Sequence, residues 1–251
     1  MTHERRFFVK REDIQKGQVL IRGQDALHIR ESLRLVAGDT VTVLDDEGTQ
    51  YEVALEEVSY RSVRGRILSC LEREPAVTLQ IALFNALPKG AEKVRFVLRR
   101  GTEIGLSEIG FFSSARSVPR ISGSERREEK LGRWGRIVTE VAKQCRRVTL
   151  PKISLFDGIP ETLDYCGRWD LVLAAWEGEE RTRLRDVMKS AGNVARVAVI
   201  IGPEGGFEES EIRLVETRGV KVFSMGKRIL RSEFAGIAAA TMILYELGEL
   251  G

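Results

Sequence analysis

Between residues 5 and 73 the apolar positions come in short runs: RFFV, QVLIRG, DTVTVLDDEG, QYEVALEEV and SVRGRIL. Turn residues part them, as in Ala37-Gly38-Asp39 and Asp45-Asp46-Glu47-Gly48. Short apolar runs bounded by such clusters predict β-strands. TVTVLDDEGTQYEVAL predicts a hairpin, because alternating runs flank a short Asp/Gly turn. One helix, around His28 to Val36, interrupts the strands on a Leu27/Leu33/Leu35 face. A small β-barrel of about 70 residues is the expected product. Glu72-Arg73-Glu74-Pro75 reads as a linker, since proline ends strands and helices.

From residue 76 the rhythm changes. VTLQIALFNAL predicts a buried strand, and LPKGAEKVRFVLRRGTEIGL an amphipathic helix ending near Gly105. EIGFFSSARS is a second strand. A longer polar helix, Glu125 to Arg147, carries Trp134, Ile137, Val138, Val141 and Ala142 on one side. WDLVLAAW, ARVAVIIG and KVFSMG supply the third, fourth and fifth strands. ESEIRLVETRG is a helix closed by Gly219, and SEFAGIAAATMILYELG is the last helix. Near-continuous apolar strands alternating with helices predict a parallel α/β sheet covered on both faces.

The 251-residue chain fits one large domain or two modest ones. Its net charge of +3 hides a block: residues 88–152 carry 16 basic against 7 acidic groups. Such a block fits a polyanion partner, and equally a helical region with a solvated face. No apolar run reaches the ~20 residues of a membrane helix, and MTHERRFFVKRED lacks the apolar stretch of a signal peptide. Three scattered cysteines and two histidines leave no metal-ligand spacing and no disulfide framework. A cytoplasmic protein without metal or membrane is expected.

Four segments are candidates for chemistry. IGPEGGF (201–207) joins an apolar strand to a helix with an acidic first turn. Its glycines suit a sharp bend or close backbone approach to a ligand, yet it matches neither dinucleotide nor P-loop spacing. SMGKRILRSEFAG (224–236) repeats the arrangement, with Lys227, Arg228 and Arg231 in the loop and Ile229 and Leu230 between them. Ser232 is the expected cap of the last helix. Taken singly, each loop is equally a tight connection. Together they imply one cleft beyond the carboxyl ends of the strands. In TEVAKQCRRVTLP, Gln144, Arg146 and Arg147 fall at a helix end, where arginine binds phosphate or complements the dipole. Cys145 is expected to be a small packed residue. Arg99 and Glu103, four apart, pair on a helix surface or meet RNA.

The set resembles the RsmE-type methyltransferases of the SPOUT class, which methylate N3 of a uridine in 16S ribosomal RNA. The resemblance rests on RRFFV, HIRESLRLVAGDTV, LPKGAEKVRFVLRRGTEIGL, RWGRIVTEVAKQCRRVTLP, IGPEGGF and SMGKRILRSEFAG, in order along almost the whole chain. It implies a PUA-like or OB-like RNA-binding β-barrel over residues 1–73. It implies a SPOUT domain over 74–251, a parallel α/β sheet with a C-terminal trefoil knot. It further implies a homodimer acting on the small ribosomal subunit, with S-adenosylmethionine as methyl donor. Carried onto this chain, cofactor contacts fall on Leu173, Ala174, Ile201, Gly202, Pro203, Glu204, Gly205, Ser224, Met225, Gly226, Ile229, Leu230 and Ala235. Arg231 is the expected donor to the uracil carbonyl edge and Glu233 the expected base or orienter, with Glu204 a weaker alternative. RNA contacts are assigned to Arg5, Arg6, Lys10, Arg116, Arg120, Arg126, Arg127, Arg146 and Arg147. The chain departs from the family at Lys143-Gln144-Cys145-Arg146-Arg147, often Glu-Gln-Ser-Gly-Arg, and at Ser232 and Phe234, often threonines. Ribose 2′-O-methylation, and RNA binding without catalysis, are the competing readings. LRSEFAG lacks the Asn and paired Ser of the first, and plain RNA binding needs no cleft.

Overall fold

The computed structural model describes residues 5–73, 79–117 and 124–250, and the chain divides into two compact units. The expected boundary at 73/74 borders residues 74–78, which lie outside the described residues, as does Arg120.

The first unit is built on β1 (Arg6–Phe8), β2 (Ile14–Gln15), β3 (Gln18–Arg22), β4 (Thr40–Leu44), β5 (Thr49–Val58) and β6 (Ser62–Arg73). They form one sheet in the order β1-β4-β5-β6-β3-β2, with β1 parallel to β4 and the other pairs antiparallel. The expected hairpin is β4–β5. Its turn is fastened by Asp45, whose buried carboxylate accepts from Thr49 N, Glu47 N, Arg11 Nη1 and Tyr51 Oη. Strand β6 runs through Glu72 and Arg73, the first half of the expected linker. The helix differs from expectation. Helix α1 (Gly23–Leu27) runs into a π turn (His28–Ser32), five residues earlier than the leucine pattern implied. Ala26 and Ile29, three apart, are the fully buried positions, and Arg34 leaves the helical region at φ 52°. Residues 142–150 group with this unit: Lys143 Nζ lies 2.6 Å from Asp25 and 5.0 Å from the Phe7 ring centre.

The second unit alternates strand and helix: β7 (Gln80–Ala86), α2 (Ala91–Glu103), β8 (Glu108–Phe112), α3 (Ser124–Gln144), β9 (Lys152–Phe156), α4 (Ile159–Cys166), β10 (Leu171–Ala175), α5 (Leu184–Ser190), β11 (Arg196–Ile201), α6 (Glu209–Thr217), β12 (Lys221–Phe223) and α7 (Ser232–Glu246). All strand pairs are parallel, in the order β12-β10-β11-β7-β8-β9. The sheet has six strands rather than the five expected, since KISLF after Pro151 is the edge strand β9. Alternate residues of β7 enter opposite cores: Ile81 and Leu83 one, Ala82 and Phe84 the other. Both faces are therefore covered, as continuous apolar strands require.

The connections fix the site. Strand β12 lies at an edge, beyond β10, yet the helix that follows it packs on β7 and β11. The intervening residues 224–231 must run back across the ends of β10 and β11. This crossing gathers the loops after β7, β10, β11 and β12 at one end of the sheet.

Candidate functional site

The turn after β11 is closed by Gly206 N–H donating to Pro203 O at 3.0 Å, with Gly206 at φ 69°. A side chain there would strain the backbone, which favours glycine; the Glu177 Oε1 that an added Cβ would meet at 2.6 Å is the tip of an exposed side chain free to move aside. Helix α6 begins with a capping box: Glu208 and Glu211 satisfy each other's backbone amides. Glu211 also accepts from Ser114 Oγ at 2.8 Å and Ala115 N at 3.0 Å, tying this loop to the end of β8. Arg116 donates to Gly205 O at 2.9 Å, so this expected RNA contact also braces the glycine loop.

The loop after β12 is held by Ser224 N–H to Thr182 O at 2.8 Å, and Gly226 takes φ 95°. Ser232 differs from its expected role. Arg231 occupies the helix cap position and Ser232 Oγ instead donates to Gly202 O at 2.7 Å and accepts from Asn85 Nδ2 at 3.0 Å. One hydroxyl thus joins the two glycine loops and the end of β7. Asn85 is fully buried and was not singled out from the sequence, where it is one polar letter in an apolar run.

Charges converge on the same place. Glu204 accepts from Lys93 Nζ at 2.8 Å and Lys89 N at 3.2 Å. Burial would push its carboxyl up, but the bonds from Lys93 and the backbone prevail and hold it below the usual range. Lys93 Nζ lies 3.8 Å from Glu233 Oε2. Arg231 has an exposed head on a backbone fixed by Phe234 and Ala235 N–H bonds to its carbonyl. Two buried acceptors, Asn85 Oδ1 and Glu233 Oε2, have no hydrogen-bond partner among the described residues. Buried polar atoms are normally satisfied, so two acceptors without a hydrogen bond at this end of the sheet suit a ligand bringing N–H groups or positive charge.

The structure places Leu173, Ala174, Ile201, Gly202 and Pro203 as buried strand ends and loop backbone, with Glu204 and Gly205 exposed beyond them. Met225 and Leu230 pack against the core beneath α7, and Ala235 is buried. Ile229 is 87% exposed in the loop after β12. Phe234 is half exposed on the outer side of α7. Cys145 is exposed rather than packed. Arg100, not Arg99, pairs with Glu103, at 2.5 Å. Arg6 is buried and its guanidinium donates to Arg147 O at 3.3 Å, a structural task in the first unit. Arg5 and Lys10 keep exposed heads beside Asp39 and Glu12.

Comparison with known proteins gives this arrangement of loops a class. Residues 75–244 match the model of the RNA methyltransferase domain family, and the chain belongs to it. Within that class the likeness runs to the enzymes named ribosomal RNA small subunit methyltransferase E. That of Mesomycoplasma hyopneumoniae is 34% identical over 67% of this chain and 70% of its own. That of Bacillus subtilis is 26% identical over 96% of each chain. A solved Legionella pneumophila structure, described as a methyltransferase in complex with the cofactor SAM, covers 96% of this chain and 97% of its own, with 27% identity and a TM-score of 0.84. The resemblance drawn from the six motifs is borne out at the level of the family.

Proposed function

We propose that the protein transfers a methyl group from S-adenosylmethionine to N3 of a uridine in 16S ribosomal RNA of the small subunit. The observation that carries this reading is the crossing of residues 224–231, which brings two glycine loops together with Asn85 and Glu233 at one end of the sheet in a chain of this family. The cofactor fits the residues present. Glycine backbone at 226 has open space beside it for a close ligand, and Glu233 Oε2 and Asn85 Oδ1, which accept no hydrogen bond among the described residues, suit a donor of positive charge or N–H. The proposed holders are Leu173, Ala174, Ile201–Gly205, Ser224–Gly226, Ile229, Leu230 and Ala235. When bound, S-adenosylmethionine supplies a methyl group activated by its sulfonium.

The chain's own residues do the rest. Uridine N3 carries a weakly acidic proton that must leave as the methyl arrives. Glu233 Oε2, which accepts no hydrogen bond among the described residues and has the Lys93 ammonium 3.8 Å away, is the proposed recipient of that proton. Negative charge then spreads to O2 and O4, and Arg231 is the proposed donor to that edge, charged at all accessible pH. The first unit, with one apolar core inside a six-stranded sheet, supports an RNA-binding barrel of the PUA or OB kind. Arg5, Lys10, Arg116, Arg126, Arg127, Arg146 and Arg147 remain the proposed RNA contacts. The return of the chain over β10 and β11 supports a trefoil knot. Helix α7 exposes Phe234, Met242 and Tyr245 although its other side is buried on the sheet, which supports a homodimer.

Replacing Arg231 by alanine tests the assignment. A charged hydrogen bond made in the transition state is worth about 1.5–3 kcal/mol, so turnover falls more than about tenfold. Turnover within about threefold of the parent removes Arg231 from the chemistry.

A further inference from the structure

We propose that Lys93 is a positioning residue that latches the glycine loop after β11 and aligns its carboxylate with that at the start of α7. Lys93 stands in the first turn of α2, outside both loops. Its ammonium donates to Glu204 Oε1 at 2.8 Å and lies 3.8 Å from Glu233 Oε2. Among the described residues it alone comes within 4 Å of a carboxylate on each of the two segments. The Lys89 N–H, also at the start of α2, donates to the same Glu204 oxygen. Helix α2 itself packs on α7, so the latch is anchored to the element that carries Glu233.

The charges facing Lys93 are Glu204, Glu233 and Arg231, two anions and a second cation. The hydrogen bond to Glu204 holds the Lys93 ammonium above its ordinary value, so it stays charged through the working range. It therefore acts as a fixed cross-link and not as a base. An exposed ion pair contributes little to global stability. This one is two-thirds buried on both partner side chains, and it spans a turn that side chains also brace at Gly202 O, from Ser232, and at Gly205 O, from Arg116. Cutting it should loosen the turn while leaving the fold intact.

Amide hydrogen exchange at Gly206, whose N–H closes the turn, reads this without any ligand. Lys93→Met is expected to speed that exchange about tenfold with an unchanged melting temperature, and Lys93→Arg to restore it. In a Glu204→Gln background Lys93→Met should add nothing. Unchanged exchange in Lys93→Met, or full additivity in the double variant, overturns the latch. The cofactor arm rests on the methyltransferase reading. Lys93→Met should weaken S-adenosylmethionine and its demethylated, uncharged product about equally, near tenfold each. Tighter binding confined to the cationic cofactor, as removal of a like charge would give, overturns positioning and makes Lys93 a direct electrostatic contact. A parent protein that binds neither molecule defeats the methyltransferase reading instead, and the exchange arm still decides the latch.

Discussion

Ser232 Oγ accepts a hydrogen bond from the fully buried Asn85 at 3.0 Å, and passes one on to Gly202 O at 2.7 Å. Through this pair the first strand of the methyltransferase unit, the loop after β11 and the last helix share one polar joint. Ser232→Ala leaves two buried groups short of a partner, at a cost of about 2 kcal/mol. Urea unfolding should report that loss, together with weaker binding of S-adenosylmethionine. A stability change within 0.5 kcal/mol, about the effect of an ordinary surface substitution, contradicts the joint.

Arg146 holds a backbone position that favours glycine. It lies at φ 62° just beyond α3, where Arg147 N–H reaches back to Ala142 O at 3.0 Å, the six-to-one bond that closes a helix through a left-handed residue. Arg146→Gly should therefore stabilise the protein by about 1 kcal/mol. If the arginine is kept for RNA, the same variant binds ribosomal RNA more weakly and with a shallower salt dependence. Lower stability together with unchanged RNA affinity would count against both halves.

Asp45 governs the acid limb of the first unit. Burial raises its carboxyl, but the Thr49 amide, then Arg11, Tyr51 and the Glu47 amide donate to it, and the net result is a lowered value. A group depressed in the folded state stabilises above its unfolded value, about 3.9, and that share is lost as pH falls through the folded value. Asp45→Asn should remove about 2 kcal/mol at pH 7 and flatten the stability profile between about pH 4 and the folded value. A parallel profile displaced by a constant amount would show that Asp45 does not set the limb.

The thiols divide by burial. Cys70 and Cys145 are exposed, whereas Cys166 is buried and its thiol is pushed up to about 12, chiefly by burial and then by Glu108. The native protein should react with a thiol reagent at two positions and yield the third only on unfolding. Rapid labelling of Cys166 in the native protein would contradict the packing of α4.

Much of this was legible in the chain because burial on both faces leaves long apolar runs. Strands β7, β10 and β11 are such runs, and the glycine loops follow β11 and β12 directly. Edge strand β9 escaped because KISLF is short and half polar. Helix α1 was displaced because leucines at 27, 33 and 35 outweighed Ala26 and Ile29, the residues its helical turns bury, while Leu35 reaches the same core from beyond the helix. Asn85 and Lys93 escaped for a different reason. Their partners are more than 100 positions away, so only the crossing of the chain brings them to the loops. Ser232 kept its loop but changed its task, since a local cap was expected where a distant carbonyl waits.

The measurement that bears most directly on the central claim is methyl transfer. Small ribosomal subunits from cells lacking the endogenous enzyme are incubated with this protein and labelled S-adenosylmethionine, and the product is mapped by mass. The account expects a single N3-methyluridine in 16S RNA, lost with Arg231→Ala. Label on a ribose 2′-oxygen, or no label despite saturable cofactor binding, would contradict it.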